Sequence, residues 1–226
     1  MIELKDVQYQ YHYDDFAIIK NATFTLSEPI CTVAMDVQSG KSTFCRLFTE
    51  LKYKGSILVD GTELSTISDA DRGILYLPSN LAFFEHRSAL FNILYPLKVR
   101  KTEKSTAKTI AYSLAEKLNI TNLLSQKVCK LDVISRKLVA LCRGLTISRK
   151  IVFFDDFFQS DFPLSPEQIF ELFPTAQKIV LTSNCENLFG QVVVMDGGQT
   201  VFQGDKNSAK DYISTKLQWL YGKLDK

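Results

Sequence analysis

The sequence predicts an α/β fold: a mainly parallel sheet, an antiparallel flank at the N-terminal end, and a helical subdomain inserted over residues 85–150. Three observations predict it. Strand-length apolar segments fill the first third of the chain and return after residue 151. The stretch between them switches to the three- and four-residue spacing of amphipathic helices. Strands alternating with helices then favour parallel pairing, with the first hairpins left as the flank.

In chain order, residues 2–9 alternate apolar and polar side chains and residues 22–26 do the same, the pattern of half-buried strands. Residues 30–34 form an apolar run suited to a strand buried on both faces. A helix is predicted over 42–52, and strands over 55–59 and 74–77, with Asp60-Gly61 as a turn. Ala107, Ile110, Ala111, Leu114 and Leu118 lie on one helical face, and Leu138, Leu141, Cys142 and Leu145 on another. Residues 151–154, 179–181, 192–194 and 200–202 read as short strands. A closing helix over 208–221 turns Tyr212, Ile213, Leu217, Leu220 and Tyr221 inward. No Pro/Gly/Ser-rich linker or internal repeat interrupts the 226 residues, so 1–226 reads as one domain with the helical subdomain embedded.

Composition narrows the function. Hydrophobic residues make up 46% and no run nears the roughly 18 apolar residues of a membrane span, so a soluble protein is expected. The first residues lack the basic, apolar and small-residue order of a secretory signal, which points to the cytosol. Lys and Arg number 27 against 25 Asp and Glu, too little excess for a phosphate-backbone binder, so nucleic acid is not an expected partner. Five cysteines without a C-x-x-C pair argue against a disulfide framework or a zinc site and for buried free thiols. His12 and His86 have no ligand-spaced companions. The basic run Lys98–Lys104 reads as a solvated turn.

Chemistry concentrates at Ser39-Gly40-Lys41-Ser42-Thr43, which follows the buried strand and opens a helix. Glycine lets the backbone approach an anion, successive N–H groups point at it, and the helix N-terminus adds its dipole. Lys41 would bridge the β- and γ-phosphates and the Ser42 hydroxyl would ligate Mg²⁺. Residues 151–154 then run into Asp155-Asp156, where the first acid is placed to hold the metal's water shell and the second to orient a water. Together these residues predict a P-loop core that binds a nucleotide.

On these and further residues the whole chain resembles the nucleotide-binding subunit of ATP-binding-cassette (ABC) transporters. Residues 1–11 resemble the family's first strand and adenine-stacking aromatic, here Tyr11; residues 55–61 resemble the strand and turn after the first helix. Tyr76-Leu77-Pro78 is similar to the approach to the glutamine loop, and Phe91-Asn92-Ile93 to the "eNi" patch. Residues 82–96 resemble the region that grips the permease coupling helix, or serve ordinary packing of the subdomain. Residues 139–145 resemble the "vAlARAL" helix, and 195–201 with Gly204 the last hairpin.

The departures fall on positions that the family uses for catalysis. Met35 replaces the first glycine of the phosphate loop, which would strain a turn needing positive φ, and Asp36 adds negative charge. Ser79 stands for the loop glutamine, Asp156 for the catalytic glutamate and Ser183 for the switch histidine. The signature "LSGGQ" aligns with Leu131-Asp132-Val133-Ile134-Ser135, where Asp132 opposes phosphate and the β-branched pair blocks close approach. The segment 159–162 departs from the usual "SALD". Phe157 and Phe158 lie at the family's dimer face and are read as core or as a modified interface.

The resemblance implies ATP and Mg²⁺ as cofactors. Tyr11, Ser39, Gly40, Lys41, Ser42 and Thr43 would hold the nucleotide, Ser42 and Asp155 the metal, and Asp156 would stand in for the catalytic base. It also implies an integral membrane permease and a second ABC ATPase subunit, hetero- or homodimeric, as partners on the cytoplasmic face of a membrane. Two functions remain open: a degenerate ATP-binding subunit with little or no hydrolysis, and a nucleotide-free pseudo-ATPase that serves as an assembly module. A third, hydrolysis through Asp156, rests on that residue alone.

Overall fold

The computed structural model describes residues 1–11, 16–36, 40–68, 71–158 and 160–216. The strands are β1 (Ile2–Tyr9), β2 (Ile19–Leu26), β3 (Ile30–Met35), β4 (Lys54–Val59), β5 (Thr62–Glu63), β6 (Ile74–Leu77), β7 (Ile151–Asp155), β8 (Gln177–Thr182), β9 (Gln191–Asp196) and β10 (Gln199–Asp205). The helices are α1 (Lys41–Thr49), α2 (Ala89–Val99), α3 (Lys104–Lys117), α4 (Val133–Leu145), α5 (Pro166–Glu171) and α6 (Lys206–Lys216).

The chain divides into two compact units. The first comprises Met1–Tyr76, Lys150–Asp156 and Thr175–Lys226; the second comprises Leu77–Arg149 and Phe157–Pro174. The helical unit therefore starts before residue 85 and also takes in the segment after the acidic pair. Packing explains that recruitment: Phe158 meets Phe170 edge-on at 5.4 Å, and the buried Lys137 of α4 donates from Nζ to the Phe157 carbonyl at 2.6 Å. Phe157 is 1% and Phe158 8% exposed, so both serve as core, not as an open interface.

In the first unit, a four-stranded sheet runs β2-β1-β4-β5 with every neighbouring pair antiparallel. A six-stranded sheet runs β10-β9-β3-β8-β7-β6, in which β3 pairs parallel with β8 and β9, and β7 parallel with β8. Its central strands are buried along nearly their whole length, which is why their sequences are apolar runs without alternation. Phe44, Phe48 and Phe153 pack into the core between α1 and β7, with Phe48 and Phe153 centroids 4.9 Å apart.

Two helices differ from the spacing-based expectation. Helix α1 stops at Thr49 because the Glu50 N–H closes on Arg46 O and Leu51 turns left-handed at φ 53°. Helix α6 begins at Lys206, two residues early, where Asp205 Oδ1 accepts from the N–H groups of Asn207 and Ser208. Ile213 is buried and Tyr212 stacks on Phe202 at 5.0 Å, whereas Leu217, Leu220 and Tyr221 lie outside the described residues.

The second unit is helical, and side chains define each start. Ser88 caps α2, Glu103 caps α3, and Ser165 with Gln168 forms a capping box on α5. Asn92 is fully buried; its amide accepts from Phe84 N–H and donates to the carbonyls of Phe84 and Ser88. Leu81 and Ala82 both adopt left-handed backbone, and the Arg143 guanidinium donates to both of their carbonyls. No helix among the described residues is long and apolar enough to cross a membrane.

Candidate functional site

The predicted residues of the first unit converge at the N-terminal end of α1 and the C-terminal end of β7. Gly40 precedes the helix with φ 100°, and a Cβ there would come within 2.7 Å of Ile18 Cγ2. Glycine is required both for the backbone conformation and for the space. Ser39 lies outside the described residues. Met35 does not strain a turn as expected: it ends β3, pairs in register with Met195 and is fully buried. Among the described residues of this loop, Gly40 is the left-handed one.

Lys41 Nζ sits 3.4 Å from Asp156 Oδ2 and donates to the Asp36 carbonyl at 3.4 Å. Asp156 also accepts at Oδ1 from the Ser183 N–H at 3.2 Å, and its own N–H donates to Leu181 O. The acid is thus held by the P-loop lysine and by the backbone after β8. Its φ of 45° is one that aspartate tolerates.

Asp155 is 2% exposed, and its Oδ2 accepts from Tyr76 Oη at 2.7 Å and from Ser42 Oγ at 3.4 Å. Burial pushes this carboxyl above the usual range, and the Tyr76 hydrogen bond opposes the shift. Burial likewise pushes the Tyr76 phenol up, so it remains a donor at any physiological pH.

Tyr11 Oη lies 2.9 Å from Thr43 Oγ1 and accepts from Arg46 Nη1 at 2.9 Å. Its ring stands edge-on to Tyr9, with the Arg46 guanidinium 5.6 Å from its centre. The aromatic expected to meet a base is therefore anchored to α1, the same helix that starts at the phosphate loop.

These groups fit MgATP. Gly40 supplies the left-handed backbone at the start of α1, a helix N-terminus that favours an anion, and Ser42 with Asp155 offers hard oxygen donors of the kind Mg²⁺ prefers. No cluster of three His, Cys, Asp or Glu residues exists among the described residues, so phosphate and water oxygens would complete the metal's shell. When bound, the metal would neutralise phosphate charge while Ser42 and Asp155 hold it.

In the second unit, the segment resembling the signature caps itself. Asp132 Oδ1 accepts from the Ser135 N–H at 2.9 Å and Oδ2 from Ser135 Oγ at 2.7 Å. Hydrogen bonds from Ser135, backbone first, hold the Asp132 carboxyl below its ordinary range. A carboxylate thus occupies the N-terminus of α4, where a phosphate would otherwise be welcomed.

Sequence reasoning missed two contributors. Tyr76 was read only as the approach to a loop, although a tyrosine within an apolar strand needs a partner for its hydroxyl. Arg46 links the Tyr11 hydroxyl to Glu50, an i,i+4 carboxylate 3.6 Å away, and that spacing was visible in the sequence. His86 is exposed in a turn; His12 lies outside the described residues.

Comparison with known proteins agrees with this architecture. A profile of the ABC transporter family matches residues 38–159. The glutamate transport ATP-binding protein GluA of Corynebacterium glutamicum is 31% identical over 182 residues, covering 76% of this chain and 72% of that protein. The molybdate/tungstate import ATP-binding protein WtpC of Archaeoglobus fulgidus is 30% identical over 138 residues, 60% of this chain and 57% of that one. The Methanocaldococcus jannaschii WtpC is covered over 49% of its length, so the chain spans about half of these molybdate/tungstate proteins. Among solved structures, an ATP binding subunit of an ABC transporter superposes with a TM-score of 0.76 at 16% identity over the full length of both chains. A bacterial Atm1-family ABC exporter with ATP bound gives 0.79 at 16% identity, over all of this chain and 42% of that one. With the phosphate-loop glycine, lysine and serine and the strand-end acid in place, the chain belongs to the ABC transporter family and has the fold of its nucleotide-binding domain.

Proposed function

We propose that this chain is a degenerate ATP-binding subunit of a membrane ABC transporter, one that binds MgATP and hydrolyses it slowly or not at all. Ser42 beside the buried Asp155, at the helix N-terminus that the left-handed Gly40 begins, is the observation that carries the binding reading. Tyr11, Ser39, Gly40, Lys41, Ser42 and Thr43 would hold the nucleotide, and Ser42 and Asp155 the metal. Relatives named for glutamate transport and for molybdate/tungstate import support a role in transport, and the second in import, with an integral membrane permease and a second ATPase subunit as partners. The subunit would lie peripherally on the cytoplasmic face of the membrane.

The impaired hydrolysis rests on the altered positions. Asp156 is engaged by Lys41 and Ser183, and general-base positioning contributes about 10²–10⁴-fold in rate. The self-capped Asp132 favours the second reading, a nucleotide-free assembly module, because it offers a partner's phosphate a carboxylate in place of free N–H groups.

Calorimetric titration with MgATP separates the two. The first reading expects saturable binding to the chain that is lost in both Lys41→Ala and Asp155→Ala. No binding at millimolar ATP, alone and in the assembled complex, would establish the assembly module. Phosphate release well above background and abolished by Asp156→Asn would instead revive catalysis through that acid.

A further inference from the structure

Arg46 lies on α1 beyond Thr43, and its Nη1 donates to Tyr11 Oη at 2.9 Å. A guanidinium can only donate, so the phenol accepts there and its own proton is left for Thr43 Oγ1, 2.9 Å away. Thr43 is 5% exposed, and its Oγ1 stands 3.9 Å from the position that a Cβ on Gly40 would take. The phenol is therefore fixed at two points beside the start of α1. The buried Tyr9 meets the same ring edge-on, with centroids 5.1 Å apart, and sets its tilt. Tyr11 also lines a cavity of about 540 Å³, shared with Gln8, Gln10 and Tyr53, that has room for a planar base.

We infer that Arg46 is a positioning residue of the nucleotide site: it holds the Tyr11 ring where a base can stack on it. This deepens the MgATP-binding reading above and rests on it. An unanchored tyrosine would lose its side-chain freedom when the base arrives, whereas a ring pinned through its hydroxyl has already lost it. The surrounding charges argue against a direct role of the guanidinium on phosphate. Glu50 Oε1 lies 3.6 Å from Arg46 Nε and balances the cation. Lys52 and Lys54 also line the cavity, so a general pull on anions there does not depend on Arg46.

Calorimetric titration of the full chain with MgATP and with magnesium tripolyphosphate, which has no base, tests the inference. Arg46→Ala should weaken MgATP binding about fivefold, the strength of one hydrogen bond, and leave tripolyphosphate binding unchanged. Tyr11→Phe keeps the ring but loses both hydroxyl contacts, so it should weaken MgATP at least as much. Arg46→Ala made in the Tyr11→Phe background should then have no further effect. Tyr11→Ala should weaken MgATP more than either, because the stacking surface itself is gone. Circular dichroism confirms that each variant is folded. An equal loss for both ligands would make Arg46 a phosphate-binding cation, and additive losses with Tyr11→Phe would make it independent of the ring. Either result overturns the inference and leaves MgATP binding in place, as does an unchanged MgATP affinity in Arg46→Ala. Failure of the unaltered chain to bind MgATP would overturn this inference together with the reading on which it rests.

Discussion

Tyr76→Phe removes one hydroxyl and tests how the metal-binding corner is held. Tyr76 Oη donates to Asp155 Oδ2 at 2.7 Å, and that carboxylate is 2% exposed, so water cannot replace the lost donor. A hydrogen bond to a charged, buried acceptor is worth about 1.5–3 kcal/mol. Ser42 Oγ at 3.4 Å can close partly on the same oxygen, which puts the expected cost near 2 kcal/mol. For a chain of this size that lowers the melting temperature by about 4–8 °C. The pH dependence has a definite sign. Because burial raises the folded pKa of Asp155, ionising it costs stability as pH rises through that value, and the Tyr76 bond offsets part of the cost. The deficit of Tyr76→Phe should therefore be complete above the raised pKa and shrink toward acid, where Asp155 is protonated in both states. Thermal melts at several pH values, combined with a double-mutant cycle against Asp155→Asn, measure it. A coupling energy near zero, or a deficit that does not vary with pH, would refute this account of the corner.

Three further outcomes are expected. Asp156→Asn should raise ATP affinity by no more than about fivefold, because the Lys41–Asp156 pair is partly solvated and such pairs are worth at most about 1 kcal/mol; calorimetry reads the change, and weakened binding would make Asp156 a positioning group for the nucleotide. Asp132→Ala should cost about 1 kcal/mol in denaturant unfolding at neutral pH through the lost α4 cap. Since folding lowers the Asp132 pKa, that deficit should fade as pH drops through the folded value, and its persistence in acid would contradict the capping role. A thiol reagent should label Cys129 quickly in the native chain and the other four only after unfolding, because Cys31, Cys45, Cys142 and Cys185 are buried and burial pushes the thiols of Cys31 and Cys142 up to about 11 and about 12; rapid labelling of more than one thiol would contradict the packing.

Much of the site was legible because its chemistry is local in sequence. Gly40, Lys41, Ser42 and Thr43 are adjacent, and Asp155 announces itself where an apolar strand meets an acidic pair. The closing helix and α1 were found with shifted ends, since a side-chain cap at Asp205 and a left-handed Leu51 set the boundaries, not apolar spacing. Phe157 and Phe158 admitted two readings, and only their burial decided for core.

The sequence by itself determined the order of most strands and helices, the short β5 and α5 excepted, and the phosphate loop, because propensity, apolar period and motif spacing are properties of neighbouring residues. Only the tertiary structure decided what those residues do to one another. Tyr76 reaches Asp155 across 79 positions, Lys41 at the start of α1 pairs with Asp156 just after β7, and lysines of 98–108 line a groove because two helices meet. Such pairings depend on which strands lie side by side and which faces are buried, and both are settled by the packing of the whole chain.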